Sequence, residues 1–596
     1  MIRIPLRPLA RILPAREKGE NTDAIERENI RLRHINMQDK ARSRAEGRLL
    51  VLGVFFFCAF AVVGGRMGMM ATSEPVEPLA SATGATIAAQ RADIVDRQGR
   101  ILATNFETFS LYAQPPVMID PLAAAEGLAR ILPDLDKERL IKDFTGKRKF
   151  LWIKRKLSPE QKQAVHDLGD PGLMFGPREM RLYPNGRLAA HILGGASFGK
   201  EGVNAAEVIG VAGVEKQFDD YLRDPSNGDA PLQLSLDLTV QAASERVLYG
   251  GMKLMNAKGA TSILMDVHTG EVISIVSLPD FDPNDRPRPP IEGEDQADSP
   301  LFNRAVQGLY ELGSTFKIFT AAQAMDLGLV NADTMVNTRR PLRQSGHEIG
   351  EFHNKSYGPE LSVSMVIEKS SNVGTARLAQ MIGIERQKQF FGALGMLERT
   401  GFEIVEAQGG RPLIPRNWGV LEMMTISFGH GMSATPMHLA AGYATIANGG
   451  RYVSPTILKQ TGAQLGPRVL SEASAAAARN MLRRVVTHGT ASFGEVPGYA
   501  VGGKTGTADK PKPSGGYYKD RVIATFACMF PAHDPKYVLI VTLDEPSENS
   551  GSKPRRTAGW TAVPVAAEMI GRIAPLLGLR PGVEPVQVAG ITLTSN

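Results

Sequence analysis

The sequence predicts an α+β protein that is attached to a membrane by a single N-terminal helix. An uncharged run of seventeen residues, 49–65, lies close to the N-terminus. From about residue 231 onward, strand-like runs come first, helical stretches follow, and strand-like runs come last. Such an order predicts an antiparallel sheet in which the two ends of the domain meet. A mixed module is expected between the membrane helix and this domain.

The apolar run belongs to a longer stretch, 49–71, that is expected to be a membrane anchor. As a helix it would reach roughly 34 Å, which is enough for one bilayer crossing. Its single charged residue, Arg66, can extend its side chain to the outer interface. A cleaved signal peptide is the alternative, but the 48-residue polar leader is too long and no small-x-small cleavage site follows. We therefore predict an uncleaved anchor.

The charges on the two sides of the anchor predict its orientation. Residues 1–48 hold twelve Lys and Arg against seven Asp and Glu, whereas residues 71–90 hold no basic residue. Because basic residues are retained on the cytoplasmic side, we expect 1–48 to form a cytoplasmic basic tail. Everything from about residue 72 onward is then outside.

The exported part is predicted to contain two units without disulfides. A module at 72–230 begins with a polar, Pro-bearing tether and continues with short strands around the turn "DRQGR". A second domain is expected at 231–578, and 579–596 form a C-terminal tail. Cys58 lies in the anchor and Cys528 far beyond it, so these two cysteines cannot pair.

Apolar periodicity predicts the elements of the second domain. A hairpin is indicated by "GATSILMDVHTGEVISIVSLPD", and two later strands by "RVIATFACMF" and "KYVLIVTLDE". Helices are predicted at about 315–327, 361–369, 373–382, 387–394 and 436–447, and "TAVPVAAEMIGRIAPLL" predicts a closing amphipathic helix.

The stretch "GSTFK" places Ser314 one helical turn before Lys317. A serine hydroxyl is a poor nucleophile unless a neighbouring group takes its proton. A lysine can do so when desolvation or a second cation lowers its pKa, and the apolar continuation "IFTAAQAM" predicts a buried Lys317. Ser314 as an N-cap with a surface lysine explains the stretch equally well. Both interpretations stay open on these residues alone.

A second candidate is "KSSN", where a helical pattern breaks at Ser370 and resumes after Asn372. A hydroxyl and an amide two residues apart can relay a proton and bind a substrate amide. A simple cap between two helices would also explain them.

A third candidate is the extended stretch "GGKTGTADK" with Lys504, Thr505, Gly506 and Thr507. A strand glycine lets a substrate backbone lie close to the strand, and Lys and Thr side chains donate to a carboxylate. A Gly-rich loop with a solvated lysine is the alternative.

Taken together, Ser-x-x-Lys, Ser-x-Asn and Lys-Thr-Gly, spaced by 56 and 134 residues, resemble the motif set of penicillin-binding proteins and serine β-lactamases. Further Ser-x-x-Lys stretches at 197–200 and 550–553, and a Ser-x-Asn at 547–549, lack the buried helix or the order of the set. The resemblance extends to the module, through "RADIVDRQGRILA" and "GVAGVEKQFDDYL", which look like class B penicillin-binding proteins. "RPLIPRNW" and "FPAHDPKYVLIVTLDEP" resemble the division-specific transpeptidase of the penicillin-binding protein 3 type. One departure is Leu312, where this family usually has proline, and it is expected to loosen the turn.

This resemblance implies a non-catalytic pedestal module at 72–230 and a penicillin-binding, serine β-lactamase-like transpeptidase domain at 231–578. It implies that Ser314, assisted by Lys317, attacks the penultimate D-Ala of a peptidoglycan stem peptide, and that β-lactams acylate the same serine. The motifs imply further site residues. Ser370 would relay a proton, Asn372 would bind the donor amide, and the backbone N–H groups of Ser314 and Thr507 would bind the oxyanion. The substrate carboxylate would be surrounded by Lys504, Thr505, Gly506 and Thr507.

The resemblance also implies partners and location. The chain is expected in a bacterial inner membrane with its catalytic domain in the periplasm, beside a polytopic membrane glycan polymerase and other division proteins. No cofactor, metal or nucleic acid is expected, because the ten histidines show no ligand spacing, and His353 and His430 are expected to be structural. The alternatives are an elongation-specific class B enzyme, a β-lactam sensor or β-lactamase-like protein, and a catalytically silent division scaffold.

Overall fold

The computed structural model describes residues 9–72, 91–201, 206–227, 230–291, 295–339, 342–512 and 515–582. The chain divides into two compact units, Met1–Leu79 and Ala80–Asn596. Most of the predicted tether, and the predicted tail beyond residue 582, lie outside the described residues.

The N-terminal unit consists of two helices, α1 (Leu9–Glu17) and α2 (Thr22–Thr72). Helix α2 begins well before the predicted anchor, because residues 22–46 are rich in good helix formers and contain neither Gly nor Pro. Its stretch Gly47–Met67 has a mean hydropathy of 2.2 and is long and apolar enough to span a membrane. Every side chain of that stretch is exposed. An apolar surface of this extent is typical of a membrane-anchored protein.

The second unit begins with a module of short strands and helices around a small sheet. Its sheet has the order β3-β2-β1-β7, and β4 also pairs with β2. The elements are β1 (Ile94–Val95), β2 (Ile101–Ala113), α3 (Pro121–Ile131), α4 (Lys137–Phe144), β3 (Leu151–Leu157), α5 (Pro159–His166), β4 (Leu173–Leu182), α6 (Ala190–Leu193), β5 (Gly195–Glu201), β6 (Ala206–Ala212), α7 (Gly213–Gln217), α8 (Asp219–Arg223) and β7 (Leu232–Gln233).

A buried ion network joins the strands and helices of this module. The Glu215 carboxylate accepts from Arg91 at 2.7 Å and from Arg181 at 2.7 Å, and Arg91 also contacts Asp219 at 2.7 Å. Loss of one partner would leave an uncompensated buried charge, which typically costs about 3–5 kcal/mol. The stability of each of these elements therefore depends on the others.

The remaining elements form a larger domain. They are α9 (Leu238–Leu254), β8 (Gly259–Asp266), β9 (Val272–Leu278), α10 (Lys317–Asp326), β10 (Met335–Asn337), β11 (Leu342–Gln344), β12 (His347–Ile349), β13 (Glu360–Ser362), α11 (Val363–Glu368), α12 (Asn372–Ile382), α13 (Ile384–Ala393), α14 (Val420–Ile426), α15 (Pro436–Ala447), β14 (Arg451–Val453), β15 (Leu465–Arg468), α16 (Glu472–Thr487), β16 (Gly502–Pro511), β17 (Tyr517–Phe530), β18 (Tyr537–Asp544) and α17 (Ala562–Leu576).

The central sheet of this domain has the antiparallel order β16-β17-β18-β8-β9. Its last strand in the chain, β18, pairs with its first, β8, so the two ends of the domain meet in one sheet. Strands β8, β9 and β18 are buried on both faces, because helices including α9, α15 and α17 pack on the sheet. The predicted α+β class is confirmed, whereas the residue numbers chosen as domain boundaries stay predictions.

Candidate active site

Ser314 lies in a 3₁₀ turn, Gly313–Phe316, that leads directly into α10. The N-cap residues are Leu312 for the turn and Phe316 for α10, and neither uses a side-chain cap. The alternative that Ser314 is an N-cap is therefore wrong. Its side chain is half-buried, and its hydroxyl makes no hydrogen bond within the described residues. A hydroxyl in this position is available to a substrate.

This turn packs closely against strand β16. Gly313 has φ +56° and its N–H donates to the Gly429 carbonyl at 3.1 Å. A Cβ at Gly506 would lie 2.2 Å from the Leu312 carbonyl oxygen, so a residue without a side chain is required for this approach. The Leu312 side chain is buried and its carbonyl accepts from the Thr315 hydroxyl at 2.9 Å. These contacts fix the turn that lacks the expected proline.

Lys317 is fully buried at the start of α10 and is bonded to the Ser-x-Asn segment. Its Nζ donates to the Ser370 carbonyl at 2.6 Å, to the Ser370 hydroxyl at 3.1 Å and to Asn372 Oδ1 at 2.7 Å. Burial lowers the pKa of Lys317 to about 7, and the negative charge of Glu351 partly offsets that effect. A large fraction of this amine is therefore uncharged near neutral pH, and in that form it has two N–H groups instead of three and a lone pair that can accept a proton.

Lys504 approaches the same hydroxyl from strand β16. It is fully buried, and its Nζ donates to Ser370 Oγ at 2.9 Å and to the Thr505 carbonyl at 3.2 Å. Burial and the charge of Lys317 lower the pKa of Lys504 well below its usual value. Ser370 has φ +62°, a strained conformation for serine that the surrounding contacts must maintain. Its hydroxyl thus lies between two amines of weakened basicity.

Glu351 is a buried carboxylate that the sequence analysis missed. It accepts hydrogen bonds from the Ser371 hydroxyl, from the Asn372 N–H at 2.7 Å and from the Val373 N–H at 3.4 Å. These N–H groups begin α12, where a negative charge is favourable. Glu351 therefore fixes the Ser370–Asn372 segment against both lysines. Nothing in the loop sequence "GEFHN" marks it as different from a surface glutamate.

The substitution Glu351→Gln is expected to shift the pH dependence of serine acylation downward. Removing the carboxylate charge removes the factor that raises the pKa of Lys317, so the amine loses its proton at lower pH. We expect the midpoint of the acylation rate against pH to fall by up to about one unit. Stopped-flow acylation by a chromogenic β-lactam between pH 5 and 9 measures this midpoint. An unchanged or higher midpoint would contradict the assignment, and Glu360→Gln, at an exposed position, is the control.

A cleft of about 370 Å³ opens beside this cluster, with walls that include Asn372, Thr507, Phe352, Phe428, His430 and Asp509. The Thr507 hydroxyl accepts from the Ala558 N–H at 3.0 Å, and the Thr505 hydroxyl is bonded to Thr490 at 2.7 Å.

Most of the predicted site residues therefore meet in one place. Lys317, Ser370, Asn372 and Lys504 form one hydrogen-bonded cluster, and the Ser314 turn contacts the strand that carries Gly506 and Thr507. The Thr505 hydroxyl is engaged with Thr490 rather than with this cluster. The serines of the two other Ser-x-x-Lys stretches lie outside this cluster. Ser197 belongs to strand β5, and Ser550 belongs to an exposed loop. His430, expected to be structural, lies in the cleft wall.

Comparison with known proteins identifies the class that has this fold and site. The protein-family model of the penicillin-binding protein transpeptidase domain matches residues 260–562. The protein-family model of the penicillin-binding protein dimerisation domain matches residues 86–229. The chain belongs to the family of penicillin-binding proteins with these two domains.

Three individual relatives of the chain are named peptidoglycan D,D-transpeptidases. It is 35% identical to the probable peptidoglycan D,D-transpeptidase FtsI of Caulobacter vibrioides over 94% of each chain. It is 32% identical to the probable peptidoglycan D,D-transpeptidase PenA of Neisseria meningitidis, over 86% of this chain and 88% of the relative. It is 28% identical to peptidoglycan D,D-transpeptidase FtsI of Escherichia coli over 83% and 85%. The resemblance inferred from the motifs is confirmed.

Proposed function

We propose that this chain is a division-specific peptidoglycan D,D-transpeptidase that crosslinks stem peptides through an acyl-enzyme on Ser314. The observation that carries the proposal is the cluster in which Lys317 and Lys504 both donate to Ser370 Oγ, next to the turn that bears Ser314. The similarity to D,D-transpeptidases over nearly the whole chain supports the reaction type.

Acylation begins when Ser314 Oγ attacks the carbonyl of the penultimate D-Ala and its proton passes to the uncharged Lys317 amine. The oxyanion lies between the N–H groups of Ser314 and Thr507. The Ser314 N–H is in the first turn of its helix and has no acceptor there. Loss of one such donor typically costs about 100-fold to 1,000-fold in rate.

The terminal D-Ala must then leave as an amine, which requires a proton. The Ser370 hydroxyl accepts from both lysines within 3.1 Å, so it can pass a proton from Lys317 to the leaving nitrogen. Asn372 binds the donor amide, and Lys504, Thr505 and Thr507 bind the terminal carboxylate, with Gly506 allowing the peptide to lie close to the strand. An amine of a second stem peptide attacks the ester and restores the Ser314 hydroxyl.

The test is a reaction of the purified full-length chain in detergent with a stem pentapeptide ending in D-Ala-D-Ala and an isotope-labelled acceptor peptide. We expect free D-Ala and crosslinked product in mass spectrometry, and a stable penicillin adduct on the same protein. Absence of both D-Ala release and a penicillin adduct would overturn the proposal. Rapid hydrolysis of penicillin would instead indicate a β-lactamase.

The location is part of the same proposal. The apolar stretch Gly47–Met67 and the basic residues before it support a single anchor with a cytoplasmic N-terminus and a periplasmic catalytic domain. The class B resemblance supports a polytopic membrane glycan polymerase as partner, because such an enzyme makes the strands that this domain would crosslink.

Exchange of residues 49–71 for an unrelated membrane span of equal length is expected to block septum formation while penicillin labelling persists. Membrane helices pack closely at small residues, and a Cβ added at Gly53, Gly64 or Gly65 would meet no atom within 4 Å outside the nearby helix backbone. Complementation of a depleted strain at normal expression measures the effect.

The control for this exchange is the same foreign span with the small residues restored at their positions, namely Gly53, Ala59, Ala61, Gly64 and Gly65. Recovery of division by this variant alone supports packing against a partner. Full complementation by the unmodified foreign span would mean that the anchor serves only for export, since Gly and Ala are common in membrane helices.

A further inference from the structure

The cleft beside the catalytic cluster has a partly apolar wall and two carboxylates. Its large apolar side chains are those of Ile349, Phe352, Leu421 and Phe428. The carboxylates belong to Glu348 and Asp509, and no lysine or arginine is among the described residues that line the cleft. Such a wall favours a ligand group that is partly apolar and positively charged.

Of these two carboxylates, only that of Asp509 has no ion pair within the described residues. The Glu348 carboxylate is paired with Arg343 at 3.6 Å. The next residue of the Asp509 strand, Lys510, is paired with Asp544 at 2.9 Å instead. Asp509 is exposed. Its carboxylate can therefore pair with a cation of the ligand.

The titratable side chains closest in effect to Asp509 do not neutralise it. Burial lowers the pKa of His430, so this imidazole is uncharged near neutral pH. Burial raises the pKa of Tyr517 to about 12, and the charges of Glu311 and Asp509 contribute to this shift. Neither ring therefore supplies a positive charge to Asp509.

Strand β16 places Asp509 along the course of the donor peptide. β16 is the outermost strand of the central sheet, and Thr507 and Asp509 both line the cleft. At about 3.3 Å per residue, Asp509 lies about 7 Å beyond Thr507 along the strand. In the proposed mechanism the donor carbonyl lies at the Thr507 N–H, and the terminal carboxylate lies toward Lys504 and Thr505. The residues that precede the acylated D-Ala therefore extend toward Asp509.

The donor peptide contains a group of the required chemistry. A stem peptide that serves as acceptor offers an amine, which belongs to the diamino acid next to its penultimate D-Ala, and a donor stem peptide carries the same residue. An aliphatic amine has a pKa of about 10.4, so it is an ammonium ion at pH 7. Long amine side chains bury their methylene groups against apolar surface while the charged end stays exposed. A side chain of this kind matches both the apolar wall and the carboxylate.

We propose that Asp509 is a specificity-determining residue that binds the side-chain ammonium ion of the donor residue before the acylated D-Ala. The methylene groups of this side chain pack on the apolar wall, and the ammonium ion pairs with the carboxylate. Donors with a cation at this residue are acylated in preference to neutral or anionic donors. This inference rests on the proposed function, because it concerns the donor of that reaction.

The test compares three donors that differ only in the charge of this side chain. Each is an Nα-acetyl-lysyl-D-alanyl thioester of thioglycolate, with Nε free, acetylated or succinylated. The thioglycolate carboxylate replaces that of the terminal D-Ala, and the released thiol reports acylation of the full-length protein. In the wild type we expect kcat/KM to be about twofold to fivefold higher for the free amine than for the acetylated one, as for an exposed ion pair. The succinylated donor should be slowest, and added salt should reduce the differences.

Two substitutions of Asp509 test the assignment through ratios of donors. Asp509→Asn should bring the ratio of the free to the acetylated donor close to one, and Asp509→Lys should make the succinylated donor the fastest. Each ratio is taken within one variant, so a general loss of folding or activity cancels. The matched control is Asp520→Asn, an exposed aspartate of β17 outside the cleft, which should keep the wild-type ratios.

A preference for the free amine that persists in Asp509→Lys, or the absence of any preference in the wild type, would overturn the role of Asp509. Either result leaves the proposed function intact, because thiol is still released. Failure of the wild type both to release thiol from every donor and to form a penicillin adduct would refute the proposed function and this inference with it.

Discussion

Ser314→Ala is expected to abolish covalent labelling by penicillin while the unfolding temperature stays within about 2 °C of the wild type. The substitution removes the atom that would form the ester. It removes no cap, because the N-cap positions of the turn and of α10 belong to Leu312 and Phe316. It also removes no hydrogen bond of the described structure, and such a change usually alters stability by less than about 0.5 kcal/mol.

Gel fluorescence with a labelled penicillin and differential scanning fluorimetry measure the two effects on the purified full-length chain. Ser550→Ala serves as the matched control, since Ser550 is followed by Lys553 at the same spacing but lies in an exposed loop. Retained labelling of Ser314→Ala, or an adduct that mass spectrometry assigns to Ser197 or Ser550, would refute the nucleophile.

The elements that the sequence predicted well are those determined by residues close to one another in the chain. The helix predicted at 436–447 has those bounds because Thr435 caps it and Pro436 begins it. The two late strands, β17 and β18, are short apolar runs rich in β-branched and aromatic residues, a composition typical of buried strands. The three motifs were found because each has a fixed short spacing, and the structure brings Lys317, Ser370 and Lys504 together.

The missed features depend on contacts between distant segments. Glu351 is nineteen residues before Ser370, and only the folded loop brings its carboxylate to the start of α12. The position of His430 in the cleft wall could not be predicted, because one histidine beside glycines carries no spacing signal. Helix α16 (Glu472–Thr487) was also missed, although its buried residues recur at helical spacing, as at Ala478, Leu482 and Val485. The bond between the Thr505 and Thr490 hydroxyls could not be predicted either, because only the fold brings these two segments together.

Lys317→Met is expected to slow acylation by about 100-fold to 10,000-fold, the usual contribution of a positioned general base. In the wild type the acylation rate should rise with pH through a midpoint near 7, because the lysine accepts a proton only when it is uncharged. The variant should lack this midpoint. Lys317→Arg is a strict control because arginine keeps a charge that proteins do not remove, and it should be as slow as Lys317→Met. Acylation within tenfold of the wild type in either variant would mean that another group activates Ser314.

The same substitution should stabilise the fold, with a pH dependence that identifies the cause. The Lys317 pKa is about 7 in the folded chain against 10.5 for an unperturbed lysine, so the unfolded chain binds this proton more tightly. The resulting destabilisation is complete below pH 7 and disappears as the pH rises toward 10.5. Methionine removes it, so the increase in unfolding temperature of Lys317→Met should be largest at pH 6 and smaller at pH 9. An increase that does not change with pH would instead reflect better packing by methionine, and Lys317 would then not be the titrating base.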